Sequence, residues 1–267
     1  MITRRQFLKI AGCAALTTGT AGLAGCSGSS TEPVKAISKI TQTVNSTSDN
    51  KAATRTVVTE FSYDSNGNLS QTTVTVEYPY ATNMGTTINT YAIDYDGEGN
   101  PTRVSQSQSN QQNNVSAGES DITSERDSAG RYTKLESGDA KYEYEYDGNG
   151  NLVKETSTGP FAVTSEEYDE KGWAVSGSVS GSYDLKRDSS GNVTAYTYKN
   201  ISGKEVMRTF ELDSDGYVTS ITENSEKICE IEYTQIEKPS AAMRAFAKVK
   251  QMDTGQPVGY EVFYSQY

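Results

Sequence analysis

The amino-acid sequence predicts an all-β fold, an antiparallel meander of about 16 strands that curls into a barrel or a strongly bent sheet. Residues 142–146 read Tyr-Glu-Tyr-Glu-Tyr, an alternation that puts three rings on one face of a strand and two carboxylates on the other. A turn motif, Asp-x-x-Gly, recurs seven times along the chain. The composition combines 34% hydrophobic residues with 18 tyrosines, which is typical of strands with one solvated face and argues against disorder.

The turn that follows residues 142–146 defines the repeating unit. Asp147 stands at the first position of a type I turn, where its carboxylate can accept the N–H two residues on. Gly150 stands at the fourth position, where a positive φ costs glycine nothing. The sequence therefore predicts a hairpin with a glycine bulge. The other turn aspartates are Asp64, Asp96, Asp127, Asp169, Asp188 and Asp213.

The spacing of these turns predicts one hairpin per unit. Successive turn aspartates lie between 19 and 32 residues apart. A spacing of about 20 accommodates two strands of about seven residues, the Asp-x-x-Gly turn and a tight return turn. The two longest spacings predict insertions at the return end, over residues 79–86 and 106–118. The second insertion is rich in Gln, Asn and Ser, which predicts a mobile loop.

The two strand faces can be compared across the units. Residues one and three places before each turn aspartate are mostly apolar, and the residue between them is polar in every unit. The third unit breaks this pattern with Arg126 and Ser124, which predicts either a thin edge of the core or a different register. Farther along, the periodicity of residues 239–250 predicts one short helix near the C-terminus, and residues 258–267 predict a terminal strand.

The N-terminus is predicted to be a targeting segment that is separate from the fold. Residues 3–9 carry Arg4 and Arg5 before an uncharged run and resemble a twin-arginine export signal, and residues 23–26 resemble a bacterial lipobox. The resemblance implies that residues 1–25 are removed and that Cys26 receives a lipid. The alternative is an uncleaved transmembrane anchor, although the run is short and rich in Gly and Thr. Residues 26–33 would then be a lipidated tether, and residues 34–267 a single β domain with hairpin repeats over 52–223.

Charge and cysteine content exclude several function classes. The formal net charge is −11, and removal of residues 1–25, which hold three basic residues and no acid, makes it −14. Nucleic acid and anionic lipid surfaces are therefore disfavoured as partners. After cleavage and lipidation only Cys229 remains as a free thiol, which excludes an intrachain disulfide, and its strand face predicts a packed core position. The chain has no histidine, so a Cys–His catalytic pair cannot form.

The repeated turn, preceded by Tyr in four units, resembles the YD repeat of the Rhs family over residues 52–223. This resemblance implies antiparallel sheets that spiral into shells, a place on the cell surface or in secreted toxins, and carbohydrate binding. The chain departs from the large members of that family, because it is short and ends in a predicted strand with no toxin domain. It looks more like the small YD-repeat lipoproteins of gut-type bacteria.

The sequence offers little evidence of a catalytic or metal site. Some turns, such as residues 147–151, resemble the start of a calcium loop, but the Glu that such a loop needs at its twelfth position is Thr158 here. No cofactor motif is present. Three carboxylate pairs are candidate glycosidase acids, although a solvated strand face explains them better. The pairs are Glu143/Glu145, Glu166/Glu167 and Asp94/Asp96.

The favoured function is a non-enzymatic binding or structural protein, lipid-anchored on the extracytoplasmic face of the cell membrane, with a glycan or an envelope component as its partner. The alternative is an extracytoplasmic hydrolase that uses paired carboxylates. Tyr142, Tyr144 and Trp173 could stack on sugar rings, but their strand spacing favours the core, as it does for Tyr146. A ligand site is then expected on residues 79–86 and 106–118, since loops carry recognition more often than strands do.

Overall fold

The computed structural model describes residues 32–48, 51–77, 85–110, 114–160, 162–178, 181–200, 203–250 and 252. These residues form strands and one short helix, as the sequence predicts. The strands, in chain order, are β1 (Val34–Ser48), β2 (Lys51–Tyr63), β3 (Leu69–Glu77), β4 (Thr86–Tyr95), β5 (Pro101–Asn110), β6 (Asn114–Asp121), β7 (Thr123–Arg126), β8 (Tyr132–Ser137), β9 (Ala140–Tyr146), β10 (Leu152–Gly159), β11 (Ala162–Tyr168), β12 (Ala174–Gly177), β13 (Gly181–Ser182), β14 (Asp184–Arg187), β15 (Val193–Lys199), β16 (Glu205–Leu212), β17 (Val218–Glu223) and β18 (Glu226–Ile236). The helix is α1 (Ala241–Phe246).

The strands form two antiparallel sheets. The larger has eleven strands in the order β14-β15-β16-β17-β18-β1-β2-β3-β4-β5-β6, and the smaller has seven in the order β13-β12-β11-β10-β9-β8-β7. Strands that are neighbours in sequence pair with each other, as a meander requires, except at β6–β7 and β13–β14, where the chain changes sheet. In addition, β18 returns to pair with β1 and places Ile231 opposite Ile40. The first strand therefore lies in the middle of the larger sheet, between β2 and β18.

The chain passes between the two sheets at two corners, each centred on one residue. Ile122 separates β6 from β7 and donates its N–H to the Thr102 carbonyl at 2.9 Å. Tyr183 separates β13 from β14 and donates its N–H to Val175 at 3.0 Å. Counting each corner pair as one bent strand reduces the described strands to about the 16 predicted. The predicted curvature thus arises from two corners joining two sheets, and the described sheets are not closed into a single barrel.

One hydrophobic core includes side chains from both sheets and from α1. Its fully buried members include Ile40, Leu135 and Trp173. Tyr144 is 4% exposed, Tyr142 is 2% exposed, and Cys229 is 1% exposed, which confirms that these residues pack in the core. We call the end of the strands next to the Asp-x-x-Gly turns the turn end. A separate, smaller cluster of Val57, Val74 and Val76 lies towards the opposite, return end.

Several sequence predictions need correction. Residues 106–118 do not form a loop over their described part, because β5 and β6 extend the hairpin and pair Ser107 with Ser116. The third unit needs no correction, because β7 is the edge strand of the smaller sheet, in agreement with the first of the two predicted explanations. The helix spans six residues, about half of the predicted 239–250. Most of the insertion at 79–86 and the predicted terminal strand lie outside the described residues. Within the described part of the chain, no helix is long and apolar enough to cross a membrane.

Candidate functional site

The Asp-x-x-Gly turns have the predicted geometry. In the turn of Asp147, the Gly150 N–H donates to the Asp147 carbonyl at 3.0 Å, and Gly150 has a φ of 81°. The Asp147 Oδ1 atom accepts the N–H groups of Asn149 at 2.9 Å and Asn151 at 2.8 Å. The Asn151 side chain donates to Oδ2 at 2.9 Å. These hydrogen bonds, chiefly the one from the Asn151 backbone, lower the pKa of Asp147. Turn formation thus uses both carboxylate oxygens that a calcium loop would offer to its ion.

The tyrosine that precedes a turn aspartate ties one hairpin to the next. The Tyr95 hydroxyl donates to the Leu69 carbonyl at 2.8 Å, and the Tyr146 hydroxyl donates to the Tyr132 carbonyl at 2.7 Å. In both cases the acceptor lies five residues after the preceding turn aspartate. Tyr146 is therefore half-buried against the core with its polar tip satisfied, and its pKa is raised, chiefly by burial. This bond gives the Tyr-Asp pairing a physical reason that the sequence pattern alone does not reveal.

Two units have arginine in place of this tyrosine, and both stand at a corner between the sheets. Arg126, on β7, donates to the Gly99 carbonyl at 2.5 Å in a turn of the larger sheet. Arg187, on β14, reaches Asp169 in a turn of the smaller sheet, with 2.6 Å between Nη2 and Oδ2. The long arginine side chain reaches a turn of the other sheet, whereas the tyrosine reaches a carbonyl group within its own sheet. Replacement of Tyr by Arg before the turn therefore marks the sheet change.

Residues 237–250, which we call the closing segment, lie across the turn end. The Lys250 N–H donates to the Gly172 carbonyl at 2.7 Å, and the Lys248 ammonium donates to the Asn151 side chain at 2.8 Å. The Phe246 ring packs on Tyr144 of the smaller sheet with ring centroids 5.1 Å apart. The Arg244 guanidinium donates to the Glu32 carbonyl at 2.7 Å. The first described residue of the chain is thus held at the covered turn end.

A second group of residues lies on the inner face near the β13–β14 corner, and we call it the corner cluster. It consists of Glu155, Glu166, Tyr183, Tyr196, Tyr198, Arg208 and Glu223. The Tyr183 hydroxyl donates to Glu166 at 2.8 Å, and the rings of Tyr183 and Tyr196 lie 5.2 Å apart. Arg208 donates to the Tyr196 hydroxyl at 3.0 Å. The cluster therefore links the two sheets through side chains.

Arg208 is held firmly within this cluster. Its Nε atom donates to Glu223 at 2.9 Å, and its guanidinium carbon lies 5.4 Å from the centre of the Tyr198 ring. The Arg208 side chain is 9% exposed and that of Glu223 is 30% exposed. Tyr198 stacks on Tyr196 with centroids 5.5 Å apart and remains half-buried. A buried charge, aromatic faces and an accessible carboxylate thus occur together, a combination typical of polar ligand sites.

The carboxylate pairs proposed from the sequence do not converge. Glu166 faces inward to Tyr183, whereas Glu167 points outward and accepts from Ser176 at 2.8 Å. The other two pairs bind separate neighbours. Glu143 pairs with Lys141 and Glu145 with Lys154, while Asp94 pairs with Arg103 and Asp96 belongs to a turn. Among the described residues, no group of three or more Cys, Asp or Glu side chains is arranged to hold a metal ion.

Sequence reasoning missed a different carboxylate pair. Glu155 lies directly opposite Glu166 in the β10–β11 pairing, on the inner face, and is 9% exposed. The sequence repeats do contain a pattern that could have revealed this pair. The residues five and three places before each turn aspartate and eight and ten places after it include only four charged side chains. These are Glu155, Glu166, Arg208 and Glu223, all members of the corner cluster.

A shallow groove also lies on the outside of the turn end. It measures about 580 Å³ and is lined in part by Ser38, Ser62, Thr234 and Lys238. Asp64 and Glu237 are its acidic lining residues, and the oxygens of Asp64 already accept the N–H groups of its own turn. The residues that sequence analysis assigned to export and lipidation, Arg4, Arg5 and Cys26, lie outside the described residues.

Comparisons with known proteins identify no family. No family model matches the chain, and no curated protein matches it. Among solved structures, a porin-like protein from Bacteroides uniformis ATCC 8492 is similar at 14% identity and a TM-score of 0.45, over 74% of this chain and 97% of that chain.

Two toxin structures are also similar. The Tc holotoxin pore of Photorhabdus luminescens matches at 16% identity and a TM-score of 0.30, and TcdB2-TccC3-TEV at 12% identity and a TM-score of 0.28. The matches cover 67% and 81% of this chain but only 12% and 16% of the toxin chains. Because every TM-score lies below 0.5, these likenesses add no support for a shared fold or function.

Proposed function

We propose that the protein is a membrane-anchored extracytoplasmic lipoprotein that acts as a non-enzymatic binding or structural component of the cell envelope. The observation that carries this proposal is the position of Glu32, held by Arg244 at the turn end. Cys26 precedes Glu32 by six residues, and six extended residues span at most about 20 Å. A lipid on Cys26 would therefore keep the turn end close to the bilayer, and the return end would project away from it.

The surface of the two sheets supports a non-enzymatic role. Acidic side chains on the outer face of the smaller sheet are spread along the strands and paired with lysines, as Glu143 is with Lys141 at 2.6 Å. Exposed pairs of this kind contribute little to stability, but they keep an acidic surface soluble. The seven Asp-x-x-Gly turns, four of them preceded by Tyr, further support the assignment to small YD-repeat lipoproteins.

Membrane fractionation of cysteine variants tests the anchor. Cys26→Ala should move the protein from the membrane fraction to the soluble fraction or leave its signal uncleaved. Cys229→Ala is the matched control, because that thiol is buried in the core and should not affect fractionation. Replacing both Arg4 and Arg5 by lysine should block export. A Cys26→Ala protein that is processed and still membrane-bound would contradict the proposal.

A second candidate function, an extracytoplasmic hydrolase, is favoured by one observation, the Glu155/Glu166 pair. Directly opposite residues have Cβ atoms about 5 Å apart, and retaining glycosidases hold their two carboxyl groups about 5 Å apart. The purified protein should be incubated with an oligosaccharide library and the release of new reducing ends measured. Release that Glu155→Gln abolishes, and that the outer-face variant Glu167→Gln leaves intact, would replace the non-enzymatic proposal.

A further inference from the structure

We infer that the corner cluster is a binding site for a neutral carbohydrate ring, an inference that rests on the proposed binding function. Its first basis is the pattern of departures from the repeat. At the four inner positions compared above, the seven units otherwise carry apolar, aromatic or uncharged polar residues. The four exceptions form two cross-strand pairs, Glu155 with Glu166 and Arg208 with Glu223. Breaks in a regular pattern that converge on one place are expected at functional sites.

The second basis is the order of the contacts. Glu166 binds Tyr183, Tyr183 packs on Tyr196, and Tyr196 accepts from Arg208. Hydrogen bonds therefore fix the rings and the guanidinium before any ligand arrives, which lowers the entropy cost of binding. Tyr183, Tyr198 and Glu223 remain half-buried, whereas Arg208 and Tyr196 are buried behind them. A ligand would thus meet two ring faces and a carboxylate first.

The chemistry of the cluster selects the ligand class. Three carboxylates disfavour an anion, and a cation has no acceptor to offer the Arg208 guanidinium. An apolar ligand would remove water from these charged groups without replacing their hydrogen bonds. A sugar ring has C–H groups that pack on tyrosine faces and hydroxyl groups that donate to carboxylates and accept from a guanidinium. A neutral, hydroxyl-rich ring is therefore the class that satisfies all the groups present.

A glycan array probed with the mature chain tests the inference, followed by calorimetry with the best ligand. Tyr198→Leu removes a ring face, and Glu223→Gln removes a charged acceptor. Each should weaken binding about tenfold or more, whereas Tyr198→Phe keeps the ring and should stay within about threefold. Two matched controls should bind like the wild type. Glu167→Gln alters an acid adjacent in sequence to Glu166 but on the outer face, and Tyr91→Leu alters a half-buried inner-face tyrosine on the distant strand β4.

The results of the glycan-binding experiments can be separated from a failure of the lipid-anchor proposal. Loss of binding confined to the Tyr198→Leu and Glu223→Gln proteins, with thermal melts close to that of the wild type, would support the site. Failure of the intact protein to bind any glycan, equal loss in both control variants, or binding of spermidine with no sugar bound would overturn it. Membrane fractionation of Cys26→Ala reports on the lipoprotein proposal and does not depend on any of these results.

Discussion

Substitution of Gly172 by alanine should damage the fold far more than the same change at Gly99. Both glycines occupy the fourth position of an Asp-x-x-Gly turn with a φ of 79°. A Cβ atom at Gly172 would lie 2.0 Å from the Lys248 carbonyl oxygen and 3.0 Å from the Val249 Cα atom. At Gly99 the nearest atom would be 3.9 Å away, an ordinary contact. The two variants thus share the backbone strain but differ in their contact with the closing segment.

The magnitudes follow from the structure. Alanine in the left-handed region costs about 1–2 kcal/mol, which is the whole effect expected at Gly99. At Gly172 the closing segment must also move, which adds about 1–3 kcal/mol for overpacking and about 1 kcal/mol for the lost hydrogen bond from the Lys250 N–H. Gly172→Ala should therefore lower the free energy of unfolding by about 3–6 kcal/mol. Urea denaturation and thermal melts measure the difference, and equal losses in the two variants would refute the placement of the closing segment.

Three further predictions concern the turns and corners. Tyr95→Phe leaves the Leu69 carbonyl without its donor and should lower the free energy of unfolding by about 1 kcal/mol in urea denaturation; an unchanged midpoint would show that this hydroxyl does not tie the hairpins. Because hydrogen bonding lowers the pKa of Asp147 below its usual 3.8, its stabilisation is complete above that pH and is lost as pH falls through the folded-state pKa. The melting temperature, recorded from pH 7 to pH 2, should therefore fall below about pH 4, and this fall should be smaller in the Asp147→Ala variant. Arg187→Met removes the ion pair with Asp169 and should lower the free energy of unfolding by about 1 kcal/mol. A thermal melt identical to that of the wild type would contradict the role of Arg187 in joining the two sheets.

The local architecture could be predicted from the sequence because turn chemistry and strand alternation are short-range properties. Asp147 and Gly150 specify their hairpin within five residues, and the structure places them as predicted. The corners could not be predicted in the same way. Ile122 and Tyr183 are ordinary strand residues in sequence, and their role depends on which distant strands lie beside them. The arginines before Asp127 and Asp188 were visible as exceptions, but only the pairing shows that they bridge two sheets.

The candidate site was the least predictable part. Glu166 and Glu167 look equivalent in sequence, yet alternation puts one inside and the other outside. Glu155 and Arg208 could not be assigned to a site from the sequence, because their partners in the corner cluster lie on other strands. Only the fold brings β10, β11, β15, β16 and β17 to one corner. A comparison of the positions five and three places before and eight and ten places after each turn aspartate would have found the four charged residues, since no other charge occurs at those positions in the seven units.

The orientation of the protein on the membrane tests the account most directly. A single fluorophore would be attached to Ser65→Cys at the turn end, or to Asp139→Cys at the return end, in a lipidated protein whose Cys229 is replaced by serine. Both positions are exposed, and they lie at opposite ends of the strands. In vesicles that contain spin-labelled lipid, the probe at position 65 should be quenched much more strongly than the probe at position 139. Equal quenching, or stronger quenching at position 139, would contradict an anchor that holds the turn end against the bilayer.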